Sequence, residues 1–346
     1  MQFWRFPSTA GAGPVPDWVV PFLDVDTDWS QGRAEAHTSG STGTPKRISF
    51  DRQAVKASAH ATARHFQLNG GIRTLETWSA LPVAGIGGRM MWWRARILGW
   101  SLTQSRPSAR PDAPLPEREA RYDFGVATPQ QAAHLAESGQ LDRFSTLLLG
   151  GGALSPSLEF TLQAAATAAG VDLHLGFGMT ETLTHVATRR LGSPVYVPLP
   201  GVLWSLDAEG GLVLDVVDRG VHQLATRDAV DAATDPETGQ PGFRWLGRLD
   251  DVINTGGLKV HPAALERALD PIIRHHVGPR RWYLAGRPHD ITGSEVTLIL
   301  EGPQDPQLGP ALLSALANAH PHPDRPRNVV WMDRFEETAT GKVRRC

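Results

Sequence analysis

The stretch from Ser145 to Glu181 constrains the fold most. Ser145-Thr146-Leu147-Leu148-Leu149 reads as a buried strand, and Gly150-Gly151-Gly152 breaks it at once. Ser155 then supplies a helix N-cap, Pro156 the first helical position, and an alanine-rich helix runs to Gly170. A second short strand, Asp172 to Leu175, leads into a glycine turn at Gly176 and Gly178. Strand, helix and strand in such close succession predict α/β layering with a substantial sheet.

Elsewhere the pattern is coarser. Asp51 caps a helix with Ala54, Val55 and Ala61 on its small face, ending at Asn69-Gly70-Gly71. The first 37 residues look irregular, because Gly11, Gly13, Pro14, Pro16 and Pro21 interrupt any long element. The segment 103–120, rich in Pro, Arg and Ala, reads as a loop or insertion. Met90-Met91-Trp92-Trp93 reads as helix core. After Asp250 the texture changes. Pro262 starts a helix, 281–286 and 295–301 read as strands around a turn at Gly293, 307–319 as a helix and 328–335 as a strand. The expected organisation is a large N-terminal α/β domain over 1–249 and a small, mobile α+β C-terminal domain over 250–346.

Composition narrows the function. Among 346 residues the formal net charge is -2, which argues against a nucleic-acid coat or a binder of acidic membranes. The single cysteine, Cys346, excludes an intramolecular disulfide and a cysteine zinc site. The opening MQFWRFPSTAGAGPVP has no basic segment followed by an apolar stretch, so no signal peptide is expected. Nor is a membrane span, and the expected setting is cytoplasmic. Four lysines (Lys46, Lys56, Lys259 and Lys342) stand against thirty arginines. A chain so biased keeps lysine where a compact, flexible point charge is wanted.

One of the four closes the run Thr38-Ser39-Gly40-Ser41-Thr42-Gly43-Thr44-Pro45-Lys46. Glycines let backbone N–H groups approach an anion, hydroxyls add donors without bulk, and lysine adds charge for phosphate oxygens. The spacing differs from the other common phosphate loop, in which Gly-Lys-Ser/Thr follows a first glycine after four residues. TSGSTGTPK, with GGGALS at 150–155, GFGMTET at 176–182, GRLDDVINTGGLKVHPAALE at 247–266 and TATGKVRR at 338–345, resembles the adenylate-forming superfamily. That superfamily comprises acyl- and aryl-CoA ligases, luciferases and peptide-synthetase adenylation domains. The motifs occur in the family's order and span residues 38–345.

The resemblance implies a truncated adenylate-forming fold and a set of roles. Thr38, Ser39, Gly40, Ser41, Thr42, Gly43, Thr44 and Lys46 would hold the β- and γ-phosphates of ATP. Gly151, Gly152 and Ala153 would line the adenine pocket, with Gly176, Phe177 and Gly178 beside it and Phe177 stacking where tyrosine is commoner. Thr180 would touch phosphate and Glu181 would hold Mg²⁺, a hard cation that favours carboxylate oxygen. Asp228 would accept from the ribose hydroxyls and Arg248 would face the nucleotide. Arg227 stands where the family usually has glycine. Asp250 would be the hinge, Lys342 the mobile catalytic lysine, and Gly256, Gly257 and Lys259 would border the thiol channel for CoA.

The reaction so implied is attack of a carboxylate on the α-phosphorus of MgATP, giving an acyl-adenylate and pyrophosphate, followed by transfer to CoA. Because attacker and phosphates are both anionic, preorganised positive charge from Lys46, Mg²⁺ and Lys342 lowers the barrier. Leu81-Pro82-Val83, Gly88-Arg89-Met90-Met91, GMTETLTHVATR and FRWLGRLDDVINTGGLKV resemble short forms of o-succinylbenzoate–CoA ligase of menaquinone biosynthesis. Arg89 would then pair with the acid's second carboxylate. His185, four residues after Glu181, would share a helical face with it and reach the acid. Only 37 residues precede the phosphate loop, where full-length members have more, so a homo-oligomer that completes the acid pocket is also expected. Other readings stay open: another aryl- or acyl-CoA ligase, an amino-acid adenylation domain that loads a carrier protein, and a catalytically silent nucleotide-binding relative.

Overall fold

The computed structural model describes residues 2–6, 15–37, 47–68, 71, 73–152, 154–336, 343 and 345. In chain order the elements begin with β1 (Phe3–Phe6), α1 (Val20–Ser30), β2 (Glu35–His37), β3 (Arg47–Ser49), α2 (Arg52–His65), β4 (Glu76–Ser79), α3 (Ile86–Leu98) and β5 (Ser101–Ser105). Next come β6 (Tyr122–Ala127), α4 (Pro129–Glu137), β7 (Phe144–Leu149), α5 (Pro156–Ala169), β8 (Asp172–Met179), β9 (Thr184–Arg190), β10 (Val195–Pro198) and β11 (Leu203–Leu206). The chain then forms β12 (Gly211–Val216), β13 (Val221–Thr234), β14 (Pro241–Arg248), β15 (Ile253–Thr255) and β16 (Leu258–Val260). It ends with α6 (Pro262–Val277), β17 (Trp282–His289), β18 (Gly293–Glu301), α7 (Leu308–Ala319) and β19 (Asn328–Met332).

Among the described residues twelve strands form one sheet, in the order β1-β5-β4-β6-β7-β8-β9-β10-β14-β13-β12-β11. From β5 to β8 neighbours run parallel, and from β9 to β11 they run antiparallel. The parallel half is covered on both faces, as strands joined by helical crossovers must be. Leu147 and Leu149 of β7 pack with Leu135 of α4 and Leu162 of α5. Leu148, pointing the other way, packs among Phe22 of α1, Val55 of α2 and Trp92 of α3. Met90, Met91, Trp92 and Trp93 are each no more than 1% exposed, the helix core expected of them.

The β-α-β run forms as its residues dictate. The Ser155 hydroxyl accepts from Leu158 N at 3.3 Å, and Gly170 ends α5 in the left-handed region at φ 65°. Asp51 likewise caps α2, accepting from Gln53 N at 2.8 Å.

Several expectations need correction. The opening residues are not wholly irregular: Val20–Ser30 is α1, because proline in a first turn, as Pro21 is, forfeits no helical hydrogen bond. Helix α2 stops at His65, short of the glycines. Strand β5 reaches Ser105, so the arginine-rich loop starts later than residue 103. Strand β19 stops at Met332. Gly176 and Gly178 do not turn the chain; β8 runs through both. A side chain at Gly178 would set its Cβ 2.0 Å from Thr184 O, so glycine is needed there for the approach of β9.

The C-terminal residues make a small α+β unit. Strands β17, β18 and β19 form a sheet, antiparallel then parallel, and α7 crosses between β18 and β19. Its core joins Ile253, Leu269, Ile273, Leu284, Leu298, Leu312 and Leu316. No helix among the described residues is long and apolar enough to cross a membrane.

Candidate active site

At the carboxyl end of the parallel strands lies a cleft of about 650 Å³, large enough for a nucleotide. Gly152, Gly176, Phe177 and Asp228 all line it, although they come from the loop after β7, from β8 and from β13. The Phe177 ring meets Phe243 edge-on with centroids 5.4 Å apart, and Tyr196 at 5.7 Å. Asp228 is buried. Trp245 Nε1 donates to its Oδ1 at 2.9 Å, and Arg248 Nη1 stands 3.5 Å from its Oδ2. Burial raises the Asp228 carboxyl above its ordinary value, and the Trp245 hydrogen bond and the Arg248 charge oppose the rise.

The opposite wall carries a charge pair that the sequence did not reveal. Arg189 holds Glu159 through both carboxylate oxygens and donates to Ser193 O at 2.9 Å. Burial alone would raise Glu159, yet the Arg189 hydrogen bonds and charge hold it below its usual value. Arg267 of α6, over the Trp245 ring, also lines the cleft, so the small unit contributes to its wall.

Between β8 and β9 the chain turns through Leu183 (φ 53°) and Thr184 (φ 76°). A β-branched residue in that region costs on the order of 1–3 kcal/mol and persists only where its surroundings impose it. Thr182 Oγ1 is one restraint, accepting from Met179 N at 3.1 Å and donating to Thr184 O at 2.7 Å. Two buried arginines are the others. Arg94 Nη2 donates to Thr184 Oγ1 at 3.0 Å, and Arg219 Nη1 donates to Thr182 O at 3.0 Å and His185 O at 3.1 Å. The turn thereby presents Glu181 to solvent, and Glu181 has no hydrogen-bond or ion-pair partner among the described residues. An exposed, unshared carboxylate on a braced turn fits a magnesium ligand.

His185 is not on a helix. It sits on β9, buried, with Nε2 3.3 Å from Thr62 Oγ1 and its Cβ facing Gly176. His185 therefore shares no helical face with Glu181, because the intervening turn feeds a strand. Burial holds the His185 imidazole well below its ordinary value, and Arg94, Arg219 and His65 push it the same way. Arg94 falls to about 9 through burial and the nearby Arg219, and Arg219 to about 10 through burial. Neither arginine makes an ion pair within 4 Å among the described residues, although the charge of Asp218 partly offsets the burial of Arg219; Arg94 Nε and one Arg219 Nη have no acceptor there. A buried cation with no carboxylate beside it, as Arg94 is, is costly. Sequence reasoning missed Arg94 and Arg219; an arginine inside the apolar run Met90–Trp93-Arg94-Ala95 was the signal available.

The remaining candidates are dispersed. Arg89 Nε donates to Val83 O and Nη1 to Glu35 O, both at 2.8 Å, so its fork serves the backbone. Gly151 (φ 75°) stands in the glycine loop and Thr180 in the turn. Asp250 is exposed, accepting from Arg227 Nη2 at 2.8 Å and from Arg227 Nε at 3.1 Å. Gly256 (φ 57°) and Gly257 (φ 84°) form the two-residue turn joining β15 to β16, a conformation that favours glycine at both places. Lys259 is exposed on β16, and none of these three lines the cleft. Thr38 to Lys46, Ala153 and Lys342 lie outside the described residues. Beside the last, Val343 packs against Tyr283 and Phe335, and Arg345 pairs with Glu266 at 2.9 Å.

The family model described as AMP-binding enzyme matches residues 35–218. A Mycobacterium tuberculosis protein named "Probable 2-succinylbenzoate–CoA ligase" is 30% identical over 89% of this chain and 82% of its own length. The 2-succinylbenzoate–CoA ligase of Escherichia coli is 28% identical over 67% of this chain. The chain spans about half the length of that relative, 51%. Among solved structures, an acyl-CoA synthetase (AMP-forming)/AMP-acid ligase II-like protein from Dyadobacter fermentans superposes with a TM-score of 0.63 at 28% identity. It covers 99% of this chain and 97% of its own.

Proposed function

The chain belongs to the AMP-binding enzyme family, and on that premise we propose that it is an AMP-forming acid–CoA ligase whose acid carries a second anionic group, with o-succinylbenzoate the best candidate. The observation that carries the acid's class is the buried trio Arg94, Arg219 and His185 behind the turn that bears Glu181. A fold retains unpaired buried cations at a cost in stability, and an incoming carboxylate offsets that cost. The names of the Mycobacterium tuberculosis and Escherichia coli relatives support the same substrate.

In this reading Thr38 to Lys46 hold the phosphates, and Gly151, Gly152, Ala153 and Phe177 receive adenine. Asp228 accepts from the ribose, and Thr180 and Glu181 meet phosphate and magnesium. Magnesium, when bound, would neutralise phosphate charge; the protein's part is to hold Glu181 exposed on its braced turn. The carboxylate oxygen attacks the α-phosphorus, pyrophosphate leaves, and the thiol of CoA then displaces AMP from the acyl carbon. Arg94 replaces Arg89 as the anchor for the second carboxylate, since Arg89 is occupied by backbone carbonyls. Lys342 acts as the catalytic lysine of the C-terminal segment. The separate core around Leu298 supports a boundary near Asp250, with the Arg227 pair acting on that hinge. Gly256, Gly257 and Lys259 border the thiol's approach.

Pyrophosphate release measured across a panel of acids, with and without CoA, tests the proposal. Release driven by an aromatic dicarboxylate, with thioester formed on adding CoA, is expected. Release driven by amino acids would support the carrier-loading reading, and ATP binding without release the silent one.

A further inference from the structure

Helix α7 ends at Ala319, and the chain reaches β19 through His320-Pro321-His322-Pro323-Asp324-Arg325-Pro326. The prolines restrict φ and withhold N–H groups, so this connection is stiff yet neither helix nor strand. His320, His322 and Asp324 alternate with prolines, and their side chains converge. His320 Nε2 lies 2.7 Å from Asp324 Oδ1, and His322 Nδ1 lies 2.8 Å from the same oxygen. All three donor atoms fall within 4.8 Å of one another. The two rings are tilted by 56°, with centroids 5.8 Å apart, so they meet through nitrogen atoms and not by stacking.

We propose that His320, His322 and Asp324 form a binding site for a zinc-class divalent cation, with water completing the coordination. Donors about 2.0–2.2 Å from a tetrahedral ion are roughly 3.4 Å from one another, so the cluster need open by less than about 1 Å. Two imidazoles with one carboxylate suit zinc, nickel or copper, whereas Mg²⁺ prefers an all-oxygen shell. The site is therefore chemically distinct from Glu181, and none of its residues lines the nucleotide cleft. His320 is the cap residue of α7, and Asp324 stands just before β19, which pairs in parallel with β18. An ion held between them would staple the end of the helix to the entry of the sheet's edge strand. Arg325 turns its Nη1 back to His322 O at 3.3 Å, which keeps its charge on the backbone side.

The test uses the full-length chain without a histidine tag, stripped by a chelator and titrated with Zn²⁺ alone by calorimetry. Co²⁺ absorption serves as the reporter of geometry. One equivalent should bind, Co²⁺ should give the intense visible bands of a four-coordinate site, and zinc should raise the melting temperature. H322A, whose side chain is 56% exposed, and D324N should each weaken binding by at least about tenfold. Circular dichroism verifies that both remain folded. Absence of stoichiometric binding, or equal affinity in the H322A/D324N double variant, would overturn the proposal. Neither readout involves ligase activity, so this site and the proposed reaction stand or fall separately.

Discussion

Two arginine clusters in the large domain differ in one respect. Along the cleft wall, Arg189 is matched by both oxygens of Glu159, and Arg248 by Asp228. Behind the β8–β9 turn, Arg94 and Arg219 are more deeply buried than the half-buried Arg189 and the exposed Arg248, yet they face hydroxyls, backbone carbonyls and a neutral imidazole. The first cluster carries its counter-charges before any ligand arrives, and in it the Arg189–Glu159 pair serves architecture. In the second, Arg94 lacks a counter-charge, which is what a site for an anionic acid requires before the acid arrives.

The largest expected effect comes from exchanging one arginine of each kind for methionine. R94M should lower kcat/KM for a dicarboxylic acid by about 10²–10³, the result of losing a buried charge-assisted anchor. Its folding stability should hold or rise by up to about 2 kcal/mol, because an unpaired buried cation has been removed. R189M should do the reverse to stability, losing about 3 kcal/mol by stranding Glu159. Denaturant unfolding beside steady-state kinetics reads both. Loss of stability in R94M as large as in R189M would erase the distinction.

A pH titration of stability sharpens it next. His65 is held at about 4 by burial and the neighbouring His174, and His185 lies well below its ordinary value. Both are neutral in the folded protein at neutral pH, and the unfolded chain binds protons first as pH falls below about 6.5. Stability is therefore full above that value and lost between about 6.5 and 4, by roughly 2–3 kcal/mol from His65 alone. Urea midpoints across this window should fall, and H65N should flatten the slope. A slope that H65N leaves unchanged would remove His65 from the account.

The smallest effect concerns the Arg227–Asp250 pair, exposed on both sides. R227G should change the ratio of adenylate-forming to thioester-forming rates by no more than about fivefold, and less as salt rises. A change that persists undiminished in high salt would mean that Arg227 acts by something other than its charge.

Much of this was legible beforehand. Ser155-Pro156 and Gly170 bracketed α5 because caps act through neighbouring backbone groups, and the apolar run before Gly150 identified β7 for the same local reason. Gly152, Gly176, Phe177 and Asp228, far apart in sequence, do share one cleft. What escaped was non-local. Gly178 was read as a turn because nothing nearby shows that β9 approaches within van der Waals reach. His185 was placed on a helix because Leu183 and Thr184 adopt positive φ that no propensity anticipates. Sequence does not separate Arg94 from Arg89, because solvent exposure of two arginines on one helix is decided by what packs against it. Glu159 and Arg189 meet across 30 residues, a pairing set by strand order.

The most direct measurement compares AMP and pyrophosphate formation from o-succinylbenzoate with that from an analogue lacking the second carboxylate. Wild-type protein should prefer the dicarboxylate by at least about a hundredfold, and R94M should use the two about equally. Equal use of both acids by the wild type, or ATP cleaved to ADP and orthophosphate with either, would contradict the assignment of the buried arginine cluster to the acid.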